Sequence, residues 1–285
     1  MTTLDARDAG FVDLHAHSTA SDGTCAPEAI GAIALGAGLT ALALTDHDTI
    51  DGIAAARAGA EALGVRLIAG TELSLFDAIG EVHILGLHLK DLAVLDATFA
   101  SLREGRTERA QRMVEALNRL GVAVTWEAVA AHAARGAVGR PHVARAVVDA
   151  GGARDLREAF DKYLGNGRPA CVEKRRLDVG EGIGLIHEAG GVAIWAHPAG
   201  DGRRERLEPL IAAGLDGLEL KHPSHSKEDE LRLTALADHF GLLPSGGSDW
   251  HGAMQGYRVM GSMHVPLEWM ERQEQRAIAH RGAGR

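Results

Sequence analysis

The sequence predicts an α/β barrel with a small helical insertion, and three observations support this fold class. Strand-like apolar runs alternate with helical stretches over residues 11–89 and again after residue 165. Most of these runs end in a polar loop that carries His, Asp or Glu, as the strands of barrel enzymes do. The length of 285 residues suits one closed α/β barrel with an inserted segment.

Composition narrows the class of protein. Apolar residues make up 46% of the chain and charged residues 24%, values typical of a globular protein with a large core. The net charge of −9 argues against extended contact with duplex nucleic acid, which relies on Lys and Arg to neutralise phosphates. Small anionic substrates drawn to a bound metal remain compatible with this charge, and the chain is rich in His, with 15.

The sequence also predicts a cytoplasmic protein without membrane contact. Only two cysteines occur, Cys25 and Cys171, and their unrelated contexts do not indicate a disulfide framework. No run approaches the ~18 apolar residues of a membrane span. The first ten residues lack the basic and then apolar pattern of a signal peptide. We therefore expect a reducing compartment.

The stretch 11–23, FVDLHAHSTASDG, is the motif around which the chain is organised. In an extended segment alternate side chains point the same way, so His15 and His17 can bind one metal ion. Val12 and Leu14 then face an apolar wall. Taken alone, a His-x-His pair is equally compatible with two surface histidines beside a flexible turn. The other motifs of the chain favour the metal site.

Five further motifs place metal-ligand side chains in or after strand-like runs. They are TDHDT at 45–49, GTE at 70–72, EVHILGLH at 81–88, AHP at 196–198 and GSDWHG at 247–252. In a barrel of parallel strands every carboxyl end opens on the same face, so these side chains are expected to converge. The sequence therefore predicts a metal centre built from His, Asp and Glu.

These motifs, in this order, resemble the polymerase and histidinol phosphatase (PHP) family of metal-dependent phosphoesterases. The matching segments are DLHAHSTASDGT, LALTDHDT, AGTELS, VHILGL, IWAHP and SGGSDWHG, and they span most of residues 11–97 and 170–252. The resemblance implies a distorted (β/α)7 barrel of the PHP type. Within the family, the helical insertion with its GRPHVAR segment is most similar to the branch of nucleoside 3′,5′-bisphosphate phosphatases and 5′-3′ exoribonucleases.

The resemblance implies two or three divalent metal ions held by nine residues. The implied ligands are His15, His17, Glu72 and Asp249 for the first ion, Glu72, His83 and His197 for the second, and Asp22, His47 and His251 for the third. Mixed imidazole and carboxylate ligation suits Mn²⁺, Zn²⁺ or Fe²⁺ better than Mg²⁺, and we favour Mn²⁺. In the run at 81–88 the resemblance makes His83 the ligand, and His88 is expected to be structural.

A bridged pair of ions implies hydrolysis of a phosphate ester by attack of a metal-bridging hydroxide. No GxSxG or P-loop motif is present, in keeping with a reaction that needs no side-chain nucleophile. Asp46 flanks His47 and is expected to orient that ligand or its loop. His222 or His225 is expected to protonate the leaving alkoxide, although their loop also has the pattern of a helix N-cap at Ser226.

The chain is predicted to form a discontinuous barrel domain, residues 10–97 and 165–285, and a helical insertion, residues 98–164. The insertion is amphipathic and charged, unlike the barrel segments. A strand is predicted at 169–172, where the barrel resumes. The tail from about Gln273 is expected to be an exposed helix or a frayed end.

Three residues are predicted to bind substrate. Arg140 and His142 open a helix, where free backbone N–H groups suit a phosphate. The alternative is that the insertion only covers the barrel. Lys174 lies in a basic run, at a position that family members often fill with a polar substrate contact. Such a run is otherwise a solvated face.

The expected function is removal of phosphate from small nucleotides such as a 3′,5′-bisphosphate (pAp giving AMP), or trimming of short single-stranded RNA from its 5′ end. Two alternatives remain open. One is a phosphatase for a small amino-alcohol phosphate of the histidinol phosphate kind. The other is a non-catalytic module that binds metal only to stabilise a larger assembly, which the full set of nine ligands disfavours.

Overall fold

The structure is a computed structural model that describes residues 10–133, 138–172 and 177–283. The chain divides into two compact units. The barrel unit comprises residues 1–96 and 177–285, and the helical unit comprises residues 97–176.

Among the described residues of the barrel unit, nine strands form one sheet. They are β1 (Phe11–Asp13), β2 (Ala41–Leu44), β3 (Arg66–Phe76), β4 (Glu81–Leu87), β5 (Leu177–Asp178), β6 (Val192–Trp195), β7 (Gly217–Lys221), β8 (Leu243–Gly246) and β9 (Val265–Pro266). Their order along the sheet is β8, β7, β6, β4, β3, β2, β1, β9, and β5 pairs with β3. Every position of β2 and β6 is apolar and buried, as expected of strands covered on both faces.

The sheet nearly closes into a barrel because backbone hydrogen bonds join the segment that follows β1 to β8 and to the loop that follows β8. The Leu14 N–H donates to the Gly246 carbonyl oxygen at 3.2 Å, and the His17 N–H donates to the Trp250 carbonyl oxygen at 2.8 Å. Ala16 and Trp250 also form a parallel bridge. The loops that follow β1 and β8 are thereby held side by side.

The strand β4 runs against its neighbours, which corrects the expectation of a barrel of parallel strands. It is antiparallel to both β3 and β6, whereas β1, β2 and β3 are parallel to one another, as are β6, β7 and β8. Only residues 77–80 connect β3 to β4, and a parallel crossover needs a dozen residues or more. The Asp77 carboxylate closes this hairpin by accepting the N–H groups of Ile79 and Gly80, each at 2.8 Å.

Ten α-helices lie in the described ranges. They are α1 (Ile30–Gly36), α2 (Ile53–Glu61), α3 (Leu92–Arg119), α4 (Trp126–Ala133), α5 (Arg140–Asp149), α6 (Leu156–Ala159), α7 (Val179–Glu188), α8 (Arg204–Ala212), α9 (Lys227–Phe240) and α10 (Leu267–Ala283). A π-helical turn, Phe160–Leu164, continues from α6. The 28-residue α3 carries charged residues throughout its length. Within the described residues, no helix is both long enough and apolar enough to span a bilayer.

The last helix is part of the barrel core, which corrects the expectation of an exposed tail. Met270 and Ala277 of α10 are buried in one apolar cluster with side chains from β1, β4 and β6. Gln273, on the same face, is fully buried, and its Nε2 donates to the Pro244 carbonyl oxygen at 2.7 Å. These three positions recur at helical spacing, so one face of α10 packs on the barrel.

The helical unit has its own apolar core. Met113 and Leu117, one turn apart on α3, pack with Val143 and Val147, one turn apart on α5. Ala170 is fully buried in the same core. The chain after the π-helical turn therefore still packs with the helical unit, and the two units divide at 176/177 instead of 164/165.

The predicted strand at 169–172 is wrong. Residues 169 and 170 form a turn and residues 171 and 172 have no regular structure, and the short strand that pairs with β3 is β5. The Val172 carbonyl oxygen accepts a hydrogen bond from Arg109 Nε at 2.7 Å, a contact inside the helical unit. An apolar run of four residues does not by itself distinguish a strand from a buried loop.

Candidate metal centre

The nine predicted ligands all lie at one end of the barrel. They come from the loops after β1, β2, β6 and β8, from the middle of β3 and from the start of β4. Because β4 is antiparallel to its neighbours, it begins where they end. His83, near the start of β4, therefore meets His197, which follows the end of β6.

Glu72 on β3 lies at the centre of the group, and its two carboxylate oxygens face different histidines. Oε1 is 2.8 Å from His83 Nδ1 and 2.9 Å from His197 Nε2. Oε2 is 3.2 Å from His15 Nε2 and 3.3 Å from His17 Nε2. Glu72 is 1% exposed. A carboxylate in this position can serve two groups of metal-ligand side chains at once.

Asp249, in the loop after β8, completes the group around the first histidine pair. Its Oδ1 lies 3.5 Å from His15 Nε2 and 3.3 Å from His17 Nε2. Its Oδ2 lies 3.4 Å from His222 Nε2 and also contacts Arg258 Nη1. One oxygen of Asp249 thus faces His15 and His17, two predicted ligands of the first ion. The other oxygen faces His222 and Arg258.

Asp22 lies between His251 and His47, the other two residues of the third predicted site. Its Oδ1 is 3.2 Å from His251 Nε2, and its Oδ2 is 3.8 Å from His47 Nε2. His251 Nδ1 donates to the Asp249 carbonyl oxygen at 2.9 Å, so its Nε2 is the ring nitrogen that faces Asp22. His47 also turns Nδ1 towards Glu72 Oε2 at 3.3 Å and so lies between this site and the bridging carboxylate.

Hydrogen bonding shows which ring nitrogens are available to a metal. Both ring nitrogens of His17 are buried and have no hydrogen-bond partner among the described residues. His15 Nδ1 lies 3.0 Å from Glu219 Oε1, and its Nε2 lies 3.2 Å from Glu72 Oε2. A neutral imidazole carries one N–H, so His15 satisfies both carboxylates only as the imidazolium or with a metal ion between one ring nitrogen and its carboxylate.

The spacing of the donor atoms also fits divalent ions. Ligand atoms at about 2.1 Å from one ion are roughly 3.0 to 3.5 Å apart. The contacts around Glu72 and Asp249 fall between 2.8 and 3.5 Å. The donor set, imidazole nitrogens with carboxylate oxygens, is the kind that binds manganese, iron and zinc.

The carboxylates of the site are ionised at neutral pH. Burial alone would raise the pKa of Glu72, but the charge and hydrogen bond of His15 outweigh it and hold that pKa well below its ordinary value. The pKa of Asp249 is lowered in the same way, against its burial, by the neighbouring His17 and His222 side chains. A hydrogen bond from His251 lowers the pKa of Asp22 to about 2. All three groups are therefore ready to bind cations.

Glu219 on β7 is a site residue that sequence reasoning missed. It is fully buried; Oε1 faces His15 Nδ1 at 3.0 Å, and Oε2 accepts the His197 N–H at 2.6 Å. By accepting the Nδ1–H of His15 it turns the lone pair of Nε2 towards Glu72. The available signal was an acidic residue inside an apolar strand, because a buried charge needs a specific partner.

Asp46 binds the loop that carries Asp22. Its Oδ1 accepts the Ser18 N–H at 2.6 Å and the Ser21 hydroxyl at 2.7 Å, and its Oδ2 accepts the Ser18 hydroxyl at 2.6 Å. Asp46 is 2% exposed. It therefore positions the loop after β1, and its predicted action on His47 or on the loop of His47 stays a prediction.

The two histidines predicted as proton donors differ in their surroundings. His225 Nδ1 donates to the Leu220 carbonyl oxygen at 3.0 Å, and its Nε2 accepts the Ala199 N–H at 3.2 Å. Both nitrogens are thus used within the fold, which argues against His225 as the acid. His222 Nδ1 accepts the Ser224 N–H at 3.1 Å, so its proton is on Nε2, the nitrogen that faces Asp249.

His88 lies at the other end of β4 from His83. It has a positive φ of 60° and lines a cavity of about 510 Å³ together with Arg66, Lys90 and Arg281. It is 7% exposed, and burial lowers its pKa to about 4. His88 is therefore neutral in the folded protein at pH 7 and distant from the metal centre along its strand.

His88→Asn is expected to change stability more than chemistry, with kcat remaining within several-fold. Asn tolerates a positive φ. As the pH falls from about 6.5 to about 4, the unfolded chain binds a proton that folded His88 does not. The wild type should therefore lose on the order of 3 kcal/mol of unfolding free energy that the variant keeps. Urea unfolding at several pH values measures this difference. A collapse of kcat in a stable, metal-loaded variant would contradict the assignment.

The predicted substrate contacts belong to the helical unit. Arg140 Nη1 donates to Asn166 Oδ1 at 2.9 Å and lies 3.4 Å from the Leu164 carbonyl oxygen. His142 Nδ1 accepts the Gly139 N–H at 3.0 Å, which makes it part of the N-terminal cap of α5. Lys174 lies outside the described residues. No contact of these residues with a substrate is tested by the structure, and their binding role stays a prediction.

Comparison with known proteins agrees with the barrel and its metal-ligand cluster. The family model described as PHP domain matches residues 13–165. A 3′,5′-nucleoside bisphosphate phosphatase of Chromobacterium violaceum is 37% identical over 257 residues, which cover 88% of this chain and 90% of that protein. A 5′-3′ exoribonuclease of Haemophilus influenzae is 37% identical over 245 residues, which cover 84% of this chain and 89% of that protein.

A solved structure is similar over nearly the whole chain. It belongs to a Bifidobacterium adolescentis protein classed as a metal-dependent phosphoesterase, with a TM-score of 0.73 and 33% identity, and it covers 94% of this chain and 96% of that one. The fold and the site thus define a metal-dependent phosphoesterase with an α/β barrel. The chain belongs to the PHP family, and it is a hydrolase of phosphate esters.

Proposed function

We propose that the protein removes phosphate from nucleoside 3′,5′-bisphosphates, for example pAp giving AMP, and that it also trims short single-stranded RNA from the 5′ end. The observation that carries the proposal is Glu72, whose two oxygens each face a different pair of histidines. The substrate class is supported by the activities named for two relatives that are each 37% identical.

The residues present fit two or three divalent ions, and we propose manganese because the donor set mixes imidazole with carboxylate. When bound, such ions lower the pKa of water and neutralise charge on phosphoryl oxygens. The first ion would be held by His15, His17 and Asp249 and the second by His83 and His197. Glu72 would be shared by both.

The leaving group needs a proton, and His222 is better placed than His225 to give it. Its Nε2 carries the proton and lies at the edge of the metal centre, 3.4 Å from Asp249 Oδ2. Arg258 contacts the same oxygen, and its side chain is 37% exposed. A guanidinium binds two phosphoryl oxygens at once, so we propose that Arg258 contacts the reacting phosphate.

We propose that Arg140, together with His142 and Lys174, binds a substrate phosphate other than the one that is cleaved. Arg140→Ala should then lower kcat/KM for a nucleoside 3′,5′-bisphosphate by ~10- to 100-fold, since a hydrogen bond to a charged group contributes about 1.5 to 3 kcal/mol. A simple aryl phosphate, which lacks the second phosphate, should be hydrolysed almost as fast as by the wild type. Steady-state kinetics with both substrates measures the difference.

The exposed Arg145 lies on the same helix, so Arg145→Ala serves as the matched control for loss of charge from α5. It should leave both substrates nearly unaffected. An equal loss on both substrates in Arg140→Ala would place Arg140 at the reacting phosphate or in folding. No loss on either would mean that the helical unit contributes no phosphate contact through this residue.

A substrate panel tests the proposed function as a whole. The Mn²⁺-loaded protein is assayed against mononucleotides, nucleoside 3′,5′-bisphosphates, 5′-phosphorylated short RNA and histidinol phosphate. The bisphosphates should give the highest kcat/KM, and short RNA should be shortened from its 5′ end. Histidinol phosphate hydrolysed as fast as the bisphosphates, or faster, would favour the amino-alcohol phosphatase instead.

A further inference from the structure

A second cluster of metal-ligand side chains lies at the opposite end of the barrel unit from the metal centre. It consists of His187 in the last turn of α7, Asp216 just before β7 and His280 near the end of α10. Asp216 precedes its strand, whereas the metal-centre residues Asp249 and His251 follow theirs. One donor atom from each of the three side chains lies within 4.8 Å of the other two.

The Asp216 carboxylate is the centre of this cluster. His187 Nε2 lies 2.8 Å from its Oδ2, and His280 Nε2 lies 3.2 Å from its Oδ1. The Ala193 N–H also donates to Oδ2, at 2.9 Å, which fixes the orientation of the carboxylate. Asp216 is 4% exposed, so its charge needs close partners.

The His280 ring is held in a tautomer that directs a lone pair at the carboxylate. Its Nδ1 lies 3.1 Å from the Gly191 carbonyl oxygen and therefore carries the proton. In the neutral ring its Nε2 then has only a lone pair, and it lies 3.2 Å from Asp216 Oδ1, which also has only lone pairs. Such a contact is satisfied by a second proton on the ring, which gives an ion pair, or by a metal ion that both atoms bind. A backbone carbonyl that fixes the far nitrogen of a His is also the usual support of a metal ligand.

We propose that His187, Asp216 and His280 bind one divalent transition metal ion of the zinc class. Two imidazoles and one carboxylate are donors that zinc prefers over the oxygen-seeking calcium and magnesium. The His187 and His280 side chains are 30% and 24% exposed, so solvent can reach the ion and fill its remaining position.

Arg276 is the group that such an ion must displace. Its Nη1 lies 3.3 Å from Asp216 Oδ1, beside His280 Nε2, and its side chain is 42% exposed. Because this side chain reaches solvent, it can leave the carboxylate without burying its charge. The guanidinium and the metal ion thus compete for one oxygen.

The proposed ion joins α10 to α7 and to the start of β7. Since α10 packs its buried face on the barrel core, an ion at this position would stabilise the folded barrel and take no part in hydrolysis. A ligand that binds only the folded state raises Tm, and the rise increases with the ligand concentration. Zinc at this site should therefore act on stability and leave kcat in Mn²⁺ unchanged.

The test compares the wild type with the double variant His187→Gln/His280→Gln. Each protein is dialysed against micromolar Zn²⁺, and bound zinc is measured by mass spectrometry. The double variant should hold one zinc fewer per chain, show a smaller zinc-dependent rise in Tm and keep its kcat in Mn²⁺. The same difference of one zinc is expected when Glu72→Gln is added to both proteins, since that substitution acts on the other centre. The exposed His239 on α9 provides the control variant His239→Gln, which should behave as the wild type.

Equal zinc content in the double variant and the wild type, or an equal rise of Tm, would overturn the proposal and leave the cluster as an ion pair. If the double variant does not fold, the single variant His280→Gln is measured in its place. It removes the ring whose lone pair faces the carboxylate and should weaken the zinc affinity of this site by ~10-fold or more. An unchanged affinity in that folded variant would equally overturn the assignment.

Discussion

Glu72→Gln is expected to abolish phosphate ester hydrolysis and to lower the metal content of the protein. The two oxygens of Glu72 face two histidine pairs, at 2.8 and 2.9 Å on one side and at 3.2 and 3.3 Å on the other. An amide has one oxygen and no charge, so it cannot be shared by two cations. Stabilisation of transition-state charge by metal ions is worth several kcal/mol. At about 1.4 kcal/mol per tenfold, kcat should fall by ~10³-fold or more.

The measurement combines kcat with metal content by mass spectrometry on protein whose folding has been checked by circular dichroism. Glu115→Gln makes the same chemical change on an exposed face of α3 and is the control. It should leave both quantities unchanged. Full activity with unchanged metal stoichiometry in Glu72→Gln would rule out the shared carboxylate.

Glu219→Gln is expected to weaken Mn²⁺ binding by ~10- to 100-fold, the usual cost of losing a group that orients metal ligands. Glu219 accepts from two donors, His15 Nδ1 at 3.0 Å and the His197 N–H at 2.6 Å. Glutamine keeps the size of the side chain but offers only one oxygen, so its NH₂ group must face one of these donors. One of the two histidines, His15 for the first ion or His197 for the second, then loses its orientation.

The effect should appear as a shift in the Mn²⁺ concentration that gives half-maximal activity, with kcat partly recovered at saturating Mn²⁺. A purely structural role would lower Tm without this shift. Glu228→Gln, on the exposed start of α9, is the matched control. An unchanged Mn²⁺ dependence in folded Glu219→Gln would show that Glu219 is a buried acid with no influence on the metal centre.

The sequence by itself determined the fold class and the residues that the structure gathers around Glu72. Both depend on local features. Apolar runs with strand-like or helical spacing predict the elements, and short motifs such as TDHDT place His, Asp and Glu at their ends. The four-residue link between β3 and β4 was also visible, and it would have predicted a hairpin and hence an antiparallel β4.

Only the tertiary structure decided which of these side chains meet and what each contact does. The side chains of a strand alternate with a period of two whichever way the strand runs in the sheet. The residues of β4 alone therefore do not show whether His83 or His88 lies at the metal centre. The antiparallel pairing of β4 with β3 and β6 decides this. The role of Glu219 depends on His15, which is 204 residues away along the chain. The two nitrogens of His225 are occupied by backbone groups that only the folded loop brings near. Such long-range contacts leave no local pattern, because they are made by closure of the barrel and not by neighbours in sequence.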